Sequence, residues 1–340
     1  MHKRETELDI LRILALLAVI FTHACGVGTG TSEQRIISFL SAVVTWHVPV
    51  YVMLSGRFFL DPDRQMPMCK LVKAIWRLVL AFLVWNAVYQ VFYICSGTYS
   101  GLNWKGILSQ VLIGPYHFWY LYMLVGLYAV TPFLRKIVQD KKLAEYFLLL
   151  FFVFSALTQY GPRLPLIGTT VDQILNKIQF HLALGYSGYY ILGYYLKKYP
   201  LSGKKEMGLY VAGIMMLLVT GGATVWNTLR GAEGKEWFSK YLMPNVIIEA
   251  AAIFSFFVNR VSKMNIGDCA ARWIIRLSEH SFGIYLIHAL VLDVISVRIA
   301  GAWENIHFAL IFAVLLATFG VSLLLVSLLR KMPYFGKRIA

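Results

Sequence analysis

The sequence predicts an all-α, polytopic membrane protein of about ten transmembrane helices with both termini in the cytoplasm. Three observations carry this. Of 340 residues, 59% are hydrophobic and 14% charged, where soluble domains carry about 25% charged residues. A soluble core of this length could not hide so much apolar surface. Runs such as "YFLLLFFVFSAL" and "FALIFAVLLATFGVSLLLVSLL" supply the roughly 20 apolar residues a helix needs to cross a bilayer. Finally, the basic residues gather in alternate connecting segments, the bias that orients membrane helices.

The expected spans are 8–27, 36–60, 72–95, 117–134, 143–160, 178–196, 207–226, 241–259, 280–299 and 306–329. Lys3 and Arg4 precede the first, which is too long for a cleaved signal peptide and is followed by further spans. Between the third and fourth, the stretch Ile107 to Ile113 is too short to cross and fits the interface. The fourth and sixth are rich in aromatic residues, "PYHFWYLYML" and "GYSGYYILGYY". Interfacial belts and helix packing account for most such residues. Gly185, Gly188 and Gly193 in the sixth permit close helix approach. The tenth is long enough to tilt. No repeat period and no long linker is present, so residues 1–340 form one membrane domain.

Charge gives the orientation. With the N-terminus inside, the internal segments hold 22 basic residues and the external ones eight, with Arg12 and Arg57 inside spans. The net charge of +15 is thereby topological and faces anionic headgroups. It needs no nucleic acid. Cys25, Cys69, Cys95 and Cys269 form no CxxC pair, so neither a zinc site nor a disulfide framework is read from them. Cys25 and Cys95 fall near the expected outer face, where a bridge would require their Cα atoms to come within about 7 Å.

Ionisable groups inside the spans are few: Arg12, His23, His47, Arg57, His181, Glu249, His288 and Asp293. Such groups usually face a protein interior or a wet cavity. Arg12 either snorkels to the headgroups or binds a ligand, with Asp9 one turn earlier as an ion-pair partner. His23 lies too deep for the cytoplasmic interface and is either a base or an imidazole bonded to another helix. His47, near Pro49, is structural or cavity-lining, and His181 is interfacial. Glu249 in "NVIIEAAAIF" is paired and functional, or protonated. Asp293 follows His288 by five residues, so the two point in different directions. Arg57 sits at about the depth of Arg12.

In "LDILRILALLAVIFTH", His23 follows Arg12 by eleven positions, which on an α-helix is roughly 16 Å of rise and only ~20° off a shared face. A cation at the cytoplasmic mouth attracts phosphate, and a base three turns deeper can activate a nucleophile. A donor with phosphates at one end and a reactive group on a long arm would bridge them, and coenzyme A thioesters have that shape.

Four segments in order carry a family resemblance. Arg12 and His23 match an arginine–ten residues–histidine signature, and "HVPVYVMLSGRFFL" a proline-aromatic-Ser-Gly segment. "YHFWYLYMLVGLYAVTPFLRK" resembles a His-aromatic-Trp fourth span, and "SFGIYLIHALV" a late Ser-Phe-Gly-x-Tyr-Leu-x-His segment. From Leu8 to about Val291 the chain thus resembles the acyltransferase-3 family of integral membrane acyltransferases. One departure concerns phosphate contact. Where many relatives carry Arg-x-x-Arg near span three, this chain has Lys70, Lys73 and Arg77, and lysine supplies charge without the bidentate fork.

The resemblance implies O- or N-acylation, usually acetyl from acetyl-coenzyme A, of an envelope glycan or lipid-linked sugar, in a bacterial plasma membrane. His23 would be general base or transient acyl carrier, with Glu249 as the carboxylate that orients it. Arg12, Arg57, Lys73 and Arg77 would bind the donor, and His117, Trp119, Tyr285 and His288 would line the pocket or acceptor site. No permanent cofactor or metal is implied; membrane lipid, acyl-coenzyme A and the acceptor are the partners, and self-association stays open. Some relatives attach a periplasmic hydrolase-like domain. With Ala340 close behind the last span, direct acylation or hand-over to a partner is expected here. The alternative is a non-enzymatic membrane domain that binds or transports a serine-like amino acid, as the similar membrane portion of serine racemases in vancomycin-resistant bacteria suggests.

Overall fold

The computed structural model describes residues 4–27, 33–99, 103–178, 185–231, 237–299 and 308–332, and among them the chain is helical with no strand. The α-helices are α1 (Thr6–Val27), α2 (Gln34–Val43), α3 (His47–Phe59), α4 (Met68–Cys95), α5 (Trp104–Ile113), α6 (Trp119–Ile137) and α7 (Lys141–Tyr160). They continue with α8 (Gly168–Ile178), α9 (Tyr186–Lys198), α10 (Gly203–Leu229), α11 (Pro244–Asn259), α12 (Asp268–Ile299) and α13 (Phe308–Leu329).

Among the described residues nine helical segments are long and apolar enough to cross a membrane. They match nine of the ten expected spans. The sixth, 178–196, is represented by the thirteen residues of α9. The rest of it lies largely outside the described residues, as does His181.

One expected continuous element is broken, and one expected boundary is kept, for local reasons. The second span is split at Val44–Trp46 into α2 and α3. Pro49 sits in the first turn of α3, where its missing N–H costs nothing but where a helix running through would be interrupted. Before α6, Gly114 adopts φ +74°, a conformation that favours glycine. Pro115 and a 3₁₀ turn, Tyr116–Phe118, then lead into the helix. The short stretch ahead of that break is α5, which buries no residue.

Helix α1 is the centre of the bundle. It packs against α3, α11, α12 and α13, with Leu11, Ala15, Leu16, Ile20 and Ala24 all buried. The closest backbone approach joins α3 to α9. A Cβ at Gly56 would collide with the carbonyl of Tyr190, and one at Gly193 with the backbone of Met53. Gly188 meets the ring of Phe151. Gly185, expected to serve the same purpose, has open space around it just before α9. Outward-facing Trp76, Leu83, Ile214 and Leu324 remain exposed, an apolar surface suited to lipid.

One end of the bundle is laced by ion pairs. Arg57 Nη2 lies 2.6 Å from Glu5 Oε1 and Nη1 2.8 Å from Asp61 Oδ2. Lys197 pairs with Glu7 at 2.9 Å, and Arg4 with both Asp9 and Glu279 at 2.9 Å. Arg135 closes the C-terminus of α3 by donating to the carbonyls of Phe59, Asp61 and Arg64. Segments that the charge pattern assigns to one side therefore meet at one end. All four cysteines are free.

Candidate functional site

A cavity of about 540 Å³ is walled by α1, α3, α4, α6 and α12 and reaches from Arg12 to His23. This volume falls within the range of small-molecule sites. Arg12, Val19 and His23 all line it from one side of α1, as their spacing requires. At the Arg12 end, Arg77 of α4 and Arg330, which follows α13, share the wall with Ser278 and Glu279 of α12.

The guanidinium of Arg12 is held but not consumed. Its Nη1 donates to Ser278 Oγ at 3.2 Å and lies 3.6 Å from Asp9 Oδ1; Ser278 in turn donates to Asp9. The Tyr51 hydroxyl donates to the Arg12 carbonyl at 3.0 Å. The Arg12 side chain keeps 29% of its exposure, which leaves other N–H donors available at the mouth. Arg77 lies 5.5 Å from the centroid of the Phe282 ring. Arg330 donates to the Glu279 carbonyl and has its Nη2 3.9 Å from the Glu279 carboxylate. Three guanidiniums against two carboxylates, Asp9 and Glu279, both of them shared with Arg4, make a cationic mouth.

The far end is built of imidazoles. His23 stacks on His288 with ring centroids 5.3 Å apart and meets Tyr116 edge-on at 5.0 Å. His288 is 5.0 Å from His117. Burial separates their roles: His288 and His117 are 0% and 2% exposed, whereas His23 is only partly buried and lines the cavity. His288 Nδ1 donates to the Tyr285 carbonyl at 2.6 Å, which leaves Nε2 as a lone pair with no donor among the described residues. The Tyr285 hydroxyl is spent on the His117 carbonyl. Trp119 stacks on Tyr241 at 5.6 Å.

A second cavity, of about 670 Å³, adjoins the first, and His47 and Tyr241 line both. His47 Nδ1 donates to the Val44 carbonyl at 2.7 Å. The other ring nitrogen thereby accepts the Tyr241 hydroxyl, at 3.4 Å. This one side-chain pair is a shared partition.

Of the residues expected from sequence, the structure brings together Arg12, Arg77, His23, His117, Trp119 and Tyr285 on one wall, with His288 stacked behind His23. Three lie elsewhere. Arg57 is half-buried between two carboxylates and is absent from the wall. Lys73 is exposed and also off the wall. Glu249 is fully buried, accepts a hydrogen bond from Thr220 Oγ1, and lines neither cavity; no contact joins it to His23. Arg330, Ser278 and Tyr241 were not expected. In sequence, Arg330 is one basic residue among several after a long span, and only the packing of α13 on α12 carries it to the mouth.

The model of the acyltransferase domain family matches residues 5–327. The chain belongs to the acyltransferase-3 family. It is a multi-pass membrane acyltransferase, and the match covers every residue of the cavity wall except Arg330. Searches among curated proteins and among solved structures found no match.

Proposed function

We propose that this acyltransferase-3 protein moves an acyl group, acetyl by preference, from cytosolic acyl-coenzyme A to a hydroxyl or amine of an envelope glycan or lipid-linked sugar. The observation that carries this reading is a single cavity with guanidiniums at one end and an accessible imidazole at the other. In this reading both chain ends and the Arg12 mouth face the cytoplasm, in keeping with the excess of basic residues there.

The coenzyme phosphates would pair with Arg12, Arg77 and Arg330, and the pantetheine arm would run along α1 to place the thioester beside His23. The acceptor O–H gives its proton to the free nitrogen of the His23 ring as its oxygen attacks the thioester carbonyl. Collapse of the tetrahedral centre breaks the C–S bond, and the imidazolium returns the proton to the departing sulfur. Stacked against His23, the His288 ring fixes its plane. Glu249 has no step in this scheme.

The test is His23→Ala in the purified full chain. Acyl transfer should be lost while acyl-coenzyme A still binds and the melting profile stays near that of the unaltered protein; retained transfer would overturn the assignment. A second reading draws on the partition. Cavities on two sides of one side-chain pair also suit a path for a small solute. Uptake of labelled serine into vesicles, independent of coenzyme A, would favour it.

A further inference from the structure

The charges at the mouth of the first cavity stand in two tiers. Arg12, Arg77 and Arg330 form the inner tier, on the wall, and each is steadied by a neutral group. Arg12 Nη1 donates to Ser278 Oγ at 3.2 Å, Arg330 donates to the Glu279 carbonyl, and Arg77 lies against the Phe282 ring. The two carboxylates stand farther from them. Arg12 Nη1 is 3.6 Å from Asp9 Oδ1, and Arg330 Nη2 is 3.9 Å from Glu279 Oε2. Neither separation is a hydrogen bond.

Both carboxylates are taken instead by Arg4, the outer tier. Its Nε lies 2.9 Å from Asp9 Oδ2 and its Nη1 2.9 Å from Glu279 Oε1. One guanidinium, carried just ahead of α1, thus bridges the first turn of α1 to α12. Arg4 lines neither cavity and precedes the residues that match the family model.

A carboxylate at the mouth opposes an anionic ligand in two ways. Its charge repels phosphate, and it consumes the N–H donors that phosphate would use. Without Arg4, Asp9 and Glu279 lose their nearest cation. Arg12 and Arg330 would then need to move only about 1 Å to make charge-assisted hydrogen bonds of their own to these carboxylates. Such bonds would spend the inner tier on the protein itself.

The geometry points to Arg4 as a positioning residue for the anionic ligand of this cavity: by holding Asp9 and Glu279, it keeps the charge of Arg12 and Arg330 available. That this ligand is the coenzyme rests on the transferase reading; the pairing of the charges does not.

Two measurements on the full chain in detergent test this: phenylglyoxal labelling of arginines read by mass spectrometry, and calorimetric titration with coenzyme A. In Arg4→Gln, Arg12 and Arg330 should label more slowly. Coenzyme A should bind about ten-fold more weakly, since two half-exposed ion pairs are redirected and each shifts an equilibrium by up to about five-fold. Arg4→Lys keeps the charge, but one ammonium lacks the fork that spans both carboxylates. It should resemble Arg4→Gln, and it carries the same test if Arg4→Gln does not accumulate. Adding Glu279→Gln to Arg4→Gln removes one freed carboxylate and should restore Arg330 labelling and part of the affinity. Unchanged labelling in Arg4→Gln, full affinity in Arg4→Lys, or no recovery in the double variant overturns the proposal. Slower labelling of Arg12 and Arg330 in a protein that binds no coenzyme A in any form upholds the role of Arg4 and removes the donor reading instead.

Discussion

Two arginines of similar sequence appearance are given opposite jobs by their surroundings, and exchanging each for glutamine separates them. Arg57 has a 13% exposed side chain set between Glu5 and Asp61, whose side chains are 16% and 11% exposed. Removing one member of a buried pair costs about 3–5 kcal/mol, because it strands the partner charge. Here Asp61 keeps Arg64 at 3.5 Å and Glu5 keeps Lys197 at 3.8 Å, so Arg57→Gln should cost about 3 kcal/mol, at the low end of that range. Coenzyme A affinity should be unaffected. Arg12→Gln does the reverse. It strands only Asp9, which retains Arg4 at 2.9 Å, but on the proposed function it deletes a charge-assisted contact to the donor phosphates worth about 1.5–3 kcal/mol, or roughly ten- to hundred-fold in the dissociation constant. Intrinsic-fluorescence melting in detergent and calorimetric titration with acetyl-coenzyme A read the two quantities on the same preparations. If Arg57→Gln weakened the coenzyme ten-fold at an unchanged melting temperature, the division between a structural and a donor-binding arginine would be wrong.

Acid should act through Asp61. Burial pushes its carboxyl up, but hydrogen bonds from Arg57 and the Asp63 N–H, with the charges of Arg57 and Arg64, more than offset this and hold it below the usual range. Its contribution to stability is therefore complete above the unfolded value near 3.9 and is lost as pH falls through the lower folded value. The melting temperature should drop more steeply below about pH 4 in the unaltered protein than in Asp61→Asn; parallel curves would contradict this. Gly193→Val should prevent accumulation of folded protein, because its side chain would meet the Met53 backbone, while Gly185→Ala should be tolerated. Size-exclusion profiles of the two variants decide it. Glu249→Gln should leave acyl transfer little changed, since the residue lines neither cavity. A loss of about 10²-fold or more, the scale of a missing general base, would restore it to the catalytic set.

The fold was legible wherever composition and periodicity act locally. Apolar length marked the spans, and the alternation of basic segments anticipated which of them share an end, as the ion pairs of Arg4, Arg57 and Lys197 show. The eleven-residue offset from Arg12 to His23 also survives, because it depends on one helix alone. What could not be read depends on pairing between helices. Arg57 and Arg12 lie at similar depth in their spans, and only the positions of Glu5 and Asp61 around one of them decide which stays free. Glu249 looked like a partner for His23 because both are ionisable and deep in the chain's spans. Its actual partner, Thr220, lies on α10 and carries no signal in the sequence. The same holds for Arg330 and Tyr241, which reach the site through tertiary packing.

The break at Val44–Trp46 lets one span serve two cavities separately. Below it, α3 is locked to α9 by two glycine contacts and supplies Tyr51, Ser55 and Phe59 to the cationic cavity. Above it, α2 leans on α10 and supplies Ser38 and Ser41 to the hydroxyl-rich one. A substitution among the ten residues of α2 thus reshapes the second cavity while the one that runs from Arg12 to His23 keeps its walls.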